Sequence, residues 1–219
     1  MASFPDAWEE CALITIDRYD ASSPITLQAN ALTETIDIAQ GDYPGESIPN
    51  IAGGRVWKQS PEEDGEITLE MYPTSLTIDT NTTPDTYQGV FQFFAGGTID
   101  TTTPTQPIAT TTTFSAGVSR VRDRFRVTIM WTDDTAQTSA TATTTATDKT
   151  ALRFSAMGCR MTSHKAEFTD GILKVTATFK YPAMNKDGTV RMWKWESTND
   201  TDTSPIGALP AYDDDDAWS

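Results

Sequence analysis

Residues 161–181 read MTSHKAEFTDGILKVTATFKY, two alternating runs divided by Asp170-Gly171. Asp-Gly is the strongest short signal for a two-residue β-hairpin turn, whose central positions need a positive φ. Pairing about that turn sets Phe168 opposite Leu173, Ala166 opposite Val175 and His164 opposite Ala177. On the other face Glu167 meets Lys174, a cross-strand pair of opposite sign. Both faces agree on one register, so the segment predicts an antiparallel hairpin within a mainly β chain.

The same period of two recurs outward from this hairpin. ALITIDRY (12–19) and ITLQANALTETIDI (25–38) read as two strands separated by a Ser-Ser-Pro turn at 22–24. GEITLEMYPTSLTI (65–78) alternates Ile67, Leu69 and Met71 on one face with Glu66, Thr68 and Glu70 on the other. Residues 41–54, GDYPGESIPNIAGG, carry four Gly and two Pro and read as loop. One helix is predicted over about 84–95, with Thr83 as N-cap, Pro84 at the first helical position and Asp85 in the first turn. Tyr87, Val90, Phe91 and Phe94 form its apolar stripe and Gly96-Gly97 ends it, so it should cover a sheet face. Thr-rich tracts at 98–114 and 132–150 read as extended loops or hairpin arms that order against a neighbour. The end, 211–219, reads as a solvated acidic tail. The chain shows no internal repeat and reads as a single domain, 1–219.

Composition narrows the function. Asp and Glu total 31 against 16 Lys and Arg, giving a net charge of −15, and only 7 of the cations are Lys. Thr occurs 38 times, well above ordinary usage. Acid excess with little Lys is the composition of a protein soluble in concentrated salt. It argues against a sequence-reading nucleic-acid binder, which needs clustered cations in excess. No apolar run is long enough to span a membrane, and MASFPDAWEECALITI does not read as a signal peptide. Cys11 and Cys159 form no disulfide framework and are expected as reduced, buried thiols.

Catalytic signals are weak. His164, the only histidine, falls on the apolar face of the hairpin and reads as a core or interface residue. Zinc sites need more His and Cys than the chain holds. No phosphate-cradling glycine motif or nucleophile elbow occurs. Glu62, Glu63, Asp64 and the run Asp213–Asp216 read as solvated surface rather than a glycosidase pair. The acidic segments 199–202 and 185–188 could attract calcium, but neither has EF-hand spacing. Trp193 and Trp195 share a strand face and suggest packing more than sugar stacking. No catalytic, cofactor-binding or metal-binding residue is assigned.

One segment is unusual in another way. SRVRDRFRVTIMW (119–131) places Arg120, Arg122, Arg124 and Arg126 on one side, with Thr128 and Met130. Val121, Phe125, Val127, Ile129 and Trp131 face the other. At ~3.3 Å per residue, unbroken alternation would span roughly 40 Å, more than one domain core needs. The excess length points to pairing with a second chain. The acidic row Glu66/Glu70, beside the 62–64 run, is the best partner for the Arg row. All six residues are therefore expected at a subunit interface.

Three pieces carry a resemblance: IPNIAGGRVWKQSPEEDGEITLEMYPTSL (48–76), RFRVTIMWTDD (124–134) and FTDGILKVTATFKYPAMNKDG (168–188). Together they resemble the tail tube (major tail) proteins of long-tailed double-stranded DNA viruses, and the acidity suggests viruses of haloarchaea. The resemblance implies a β-sandwich or barrel flanked by a helix, six copies to a ring, and long hairpins joining into an inner barrel. Stacked rings would make a hollow tube through which viral DNA passes without specific binding. Implied partners are further copies of the chain and tail terminator, tape measure and baseplate proteins. The place is the virion tail, assembled in the host cytoplasm, with no membrane, cofactor or active site. Rival readings are a capsid decoration or tail-terminator protein and, in a different class, a carbohydrate-binding or hydrolytic β-sandwich.

Overall fold

The hairpin forms in the register its sequence specifies, with Phe168, Ala166, His164 and Glu167 opposite Leu173, Val175, Ala177 and Lys174. The computed structural model describes residues 11–19, 25–73, 93, 123–144, 150–169, 172–198, 205–212 and 218. The strands among them are β1 (Cys11–Arg18), β2 (Ile25–Leu32), β3 (Ile36–Ala39), β4 (Gly45–Pro49), β5 (Arg55–Gln59), β6 (Gly65–Pro73), β7 (Phe125–Thr132), β8 (Ala151–Thr169), β9 (Ile172–Tyr181) and β10 (Trp193–Thr198).

Antiparallel pairings run β1–β2, β2–β6, β6–β9, β9–β8, β8–β7 and back from β7 to β1, so six strands close into a barrel. Closure removes the exposed edges an open sheet would present. The nineteen-residue β8 serves two partners end to end on one side, β10 along its first half and β9 along its second. The run 25–38, predicted as one strand, is broken by a 3-10 turn at Thr33–Thr35. The Thr35 hydroxyl lies 2.8 Å from the Leu32 carbonyl and 3.1 Å from that of Glu70, anchoring the turn to β6. The break lets β2 pair with β1 while β3 pairs with β6.

Alternation decides what fills the barrel. Ile14 and Ile16, Ile67, Leu69 and Met71, Val127 and Ile129, and Ala177 and Phe179 all point inward and are buried. Phe125 meets Phe179 edge-on with ring centroids 5.6 Å apart. The helix predicted over 84–95 lies outside the described residues except at Phe93, which is helical, buried and 5.9 Å from the Phe125 ring.

The opposite face of β1, β7 and β8 is covered as well, which the sequence did not announce. β7 is buried on both faces from Phe125 to Trp131. Its cover is the described part of the Thr-rich tract, together with residues 205–212. Ala140 N donates to Thr15 Oγ1 at 3.1 Å, Thr144 N to the Ile206 carbonyl at 3.1 Å, and Leu209 N to the Thr141 carbonyl at 2.9 Å. The Thr15 and Thr144 hydroxyls and irregular backbone satisfy one another there, so extended chain can lie buried without a ladder, although the buried Thr128, Thr150 and Ser155 hydroxyls find no partner among the described residues. The described part of the second Thr-rich tract, within 132–144, is thus a loop folded on its own sheet rather than a projecting arm; 98–114 lies outside the described residues.

Where β8 passes from one partner to the next, its register with β7 shifts between Phe125 and Val127. Gly158 sits at this bulge with φ +65°, a conformation side chains rarely adopt, and a Cβ there would meet Met192 at 2.7 Å. Its N–H donates to the Tyr212 hydroxyl at 2.9 Å, tying the C-terminal segment to the bulge.

Candidate assembly surfaces

The arginine row divides. Arg120 and Arg122 lie outside the described residues. Arg126 is buried, and its Nε and Nη2 donate to Asp17 Oδ2 at 3.0 and 2.7 Å. Its Nη1 donates to the Pro210 carbonyl at 2.7 Å, and its guanidinium lies over the Tyr212 ring. Thr26 Oγ1 donates to the second Asp17 oxygen at 2.6 Å. A buried charge survives only when paired and hydrogen-bonded in this way. The pairing expected between Arg126 and Glu66 or Glu70 is therefore not the one formed, because β1 lies beside β7 and supplies Asp17 from within the same chain. Arg124 stands over the Tyr19 ring at 4.0 Å.

The acidic row divides too. Glu70 bonds Lys174 on β9 at 3.2 Å, and Lys174 also lies 3.9 Å from Glu167, the cross-strand pair expected from the hairpin register. Lys165, two residues along β8, also pairs with Glu167 and holds its carboxyl below the usual range. Glu66 is exposed on β6, opposite Lys180 of β9. Glu62 is not free surface: Arg191 Nη1 reaches it at 3.0 Å and the Tyr43 hydroxyl donates to it at 2.7 Å.

His164 keeps its predicted register but is exposed, on the part of β8 beyond its described pairing with β7, which ends at Cys159. Phe168 near the tip is 74% exposed. Cys159 is a free thiol, and burial pushes its pKa up to about 12, which leaves it unreactive. Trp195 stacks on Trp131 with centroids 6.1 Å apart and lies 4.8 Å from Phe154, so it packs rather than offering a sugar platform. At 185–188 the Asn185 side-chain oxygen accepts from the Thr189 and Val190 N–H groups, closing a turn. Residues 199–202 lie outside the described residues. Among the described residues no group of three or more His, Cys, Asp or Glu is arranged to hold a metal, and no helix is long and apolar enough to cross a membrane.

The surface that sequence reasoning missed lies in the stretch read as loop. Residues 45–59 form a two-stranded hairpin, β4–β5, paired among the described residues only with itself, and every residue of both strands is exposed. Ile48 faces Val56 directly, flanked by the Glu46–Lys58 pair. On the reverse face the Trp57 ring lies over Gly45, where a Cβ would come within 2.4 Å of it. Asn50 shapes the turn, its side-chain oxygen accepting from Ala52 N at 3.1 Å and Gly54 N at 2.8 Å. Ile51 stands at the tip, wholly exposed. The alternation S-I-P and R-V-W was the available signal, masked by the flanking Gly and Pro.

No family model and no curated protein matches the chain. Among solved structures it is similar to a chain of the PVC sheath–tube complex of an extracellular contractile injection system in the extended state. The identity is 10% and the TM-score 0.44, over 90% of this chain and 93% of that one. A chain in the six-fold baseplate of the anti-feeding prophage is similar at 8% identity and a TM-score of 0.44, over 90% and 98%. An Hcp protein is similar at 10% identity and a TM-score of 0.31, over 86% and 99%.

Proposed function

We propose that this chain is a single-domain, non-enzymatic subunit of a viral tail tube, polymerising with itself as stacked hexameric rings. In this reading the tube conducts viral DNA without binding its sequence, and its ends meet terminator, tape measure and baseplate proteins. The acidic composition supports a virus of a salt-loving host. The three stretches of resemblance fall on the exposed hairpin with β6, on β7, and on β9 with the turn after it.

The observation that carries the reading is the β4–β5 hairpin. A two-stranded hairpin alone in water is marginal at best, and this one leaves Ile48, Ile51, Val56 and Trp57 uncovered. A second copy of the chain supplies the missing cover. Arg120, Arg122 and Glu66 stay assigned to the boundary between copies, whereas Arg126 and Glu70 are engaged inside the subunit.

The test is the pair Ile51→Glu and Trp57→Glu, viewed by negative-stain microscopy and sedimentation in molar salt. Neither residue belongs to the barrel core, so the expected outcome is a folded, soluble subunit that no longer forms hollow filaments. Filaments of wild-type length from the double variant would overturn the reading. Closed single rings from the wild type would favour a terminator instead.

A further inference from the structure

On the outer face of the barrel, beside the Gly158 bulge, three cations stand at one level across adjacent strands. Arg160 on β8 is directly opposite Lys180 on β9, whose other neighbour in the same row is Glu66 on β6. Phe125 pairs with Cys159, which carries Arg124, one residue earlier, to the level of Arg160. Their neighbours Phe125, Cys159, Phe179 and Tyr181 point into the barrel, so the three cationic side chains share its outside. Like charges directly opposite one another on a sheet are destabilising. A chain with twice as many acids as bases has little need of such a ladder for surface charge.

The ladder opens on a cavity of about 540 Å³. Lys186 from the turn after β9 adds a fourth cation to its wall, and Asp64 is the one acid in it. The two guanidinium groups are braced from behind: Arg124 by the Tyr19 ring at 4.0 Å, and Arg160 by its Nη1 bond to the Asp123 carbonyl at 3.2 Å. Met184, Met192 and Pro182 supply apolar wall. A cavity of this size, largely pre-formed and with a few convergent polar groups, suits a small molecule.

We propose that this cavity is a binding site for a small multiply charged phosphate compound, such as a free polyphosphate or phosphorylated metabolite. Guanidinium forks bond phosphate oxygens in pairs while Lys adds point charge, and three or four cations match a di- to tetra-anion. Bound anion neutralises the ladder and braces β7, β8 and β9 where β8 changes partners. The site is independent of the tail-tube reading and stands or falls separately.

Inorganic pyrophosphate is the probe. The full chain is titrated calorimetrically at fixed ionic strength set with potassium chloride, and its melting temperature is followed in parallel. Saturable binding of one pyrophosphate per chain is expected, with a rise in melting temperature. Arg160→Gln and Lys180→Gln, both at exposed positions, should each weaken binding at least about tenfold without changing the circular dichroism. Absence of saturable binding, or binding by both variants as tight as by the wild type, would overturn the proposal.

Discussion

Arg126 shows how a surface-looking residue becomes interior. Its guanidinium has Asp17, a carbonyl and an aromatic ring as partners, and none of these can be lost without leaving a buried charge. Asp17→Asn should therefore cost about 3–5 kcal/mol, whereas replacing Asp17 and Arg126 together by Leu and Met should be close to neutral. Urea unfolding of the two variants measures both values. Arg126→Glu, placed against Asp17, should abolish the fold rather than assembly alone. Two tyrosines make a second case. Burial, helped by the nearby Cys159 and Glu62, pushes Tyr181 up to about 12, and burial raises Tyr212 as well. The fold thus favours the neutral phenol, while the unfolded chain ionises near pH 10. Stability from these groups is complete below pH 10 and is lost as pH climbs through 12. Ultraviolet titration of phenolate should show Tyr181 and Tyr212 ionising late, together with the loss of structure.

At the scale of elements, the segment 132–144, within a tract expected as an extended loop or hairpin arm, lies as cover on its own sheet. Thr side chains take the place of a ladder: Thr15 of β1 accepts from Ala140 N, Thr144 accepts from Ile206 N, and Thr132 donates to the Thr150 carbonyl. Hydrogen exchange on the isolated subunit should accordingly find the Thr144 and Leu209 amides already protected, with little change on polymerisation. The β4–β5 amides should behave in the opposite way, exchanging fast in the subunit and slowly in the polymer. Full protection of β4–β5 in the isolated subunit would mean that the hairpin does not wait for a neighbour.

For the whole molecule the governing quantity is charge. With −15 per chain, a ring of about six would carry roughly −90, and self-repulsion opposes assembly wherever screening is weak. The Debye length is about 30 Å at 0.01 M salt and about 3 Å at 1 M. Dialysis to low salt should then dissolve the polymer, and sedimentation across a salt series would record it. The buried Asp17–Arg126 pair is shielded from solvent ions, so the barrel itself should resist salt removal better than the assembly does. Polymer equally stable at both extremes would contradict the assignment to a salt-loving host.

Local chemistry already carried the register of β8 and β9, because an Asp-Gly turn, period-two alternation and a Glu167–Lys174 pair act between near neighbours. It also carried the inward faces of β6 and β7, since a strand with one buried side repeats every second residue. Whether Arg126 faces water or Asp17 depended on β1 lying beside β7, a contact between residues 109 apart. That His164 is exposed depended on where the pairing of β8 with β7 stops, which alternation does not encode. The Gly- and Pro-rich run 41–54 carried turn signals strong enough to hide the start of a hairpin, whose strands pair only with each other among the described residues. Period and turn chemistry are written in neighbouring residues. Burial of the second face, the choice of ion-pair partner and the gathering of Arg124, Arg160 and Lys180 arise only when distant strands close into a barrel.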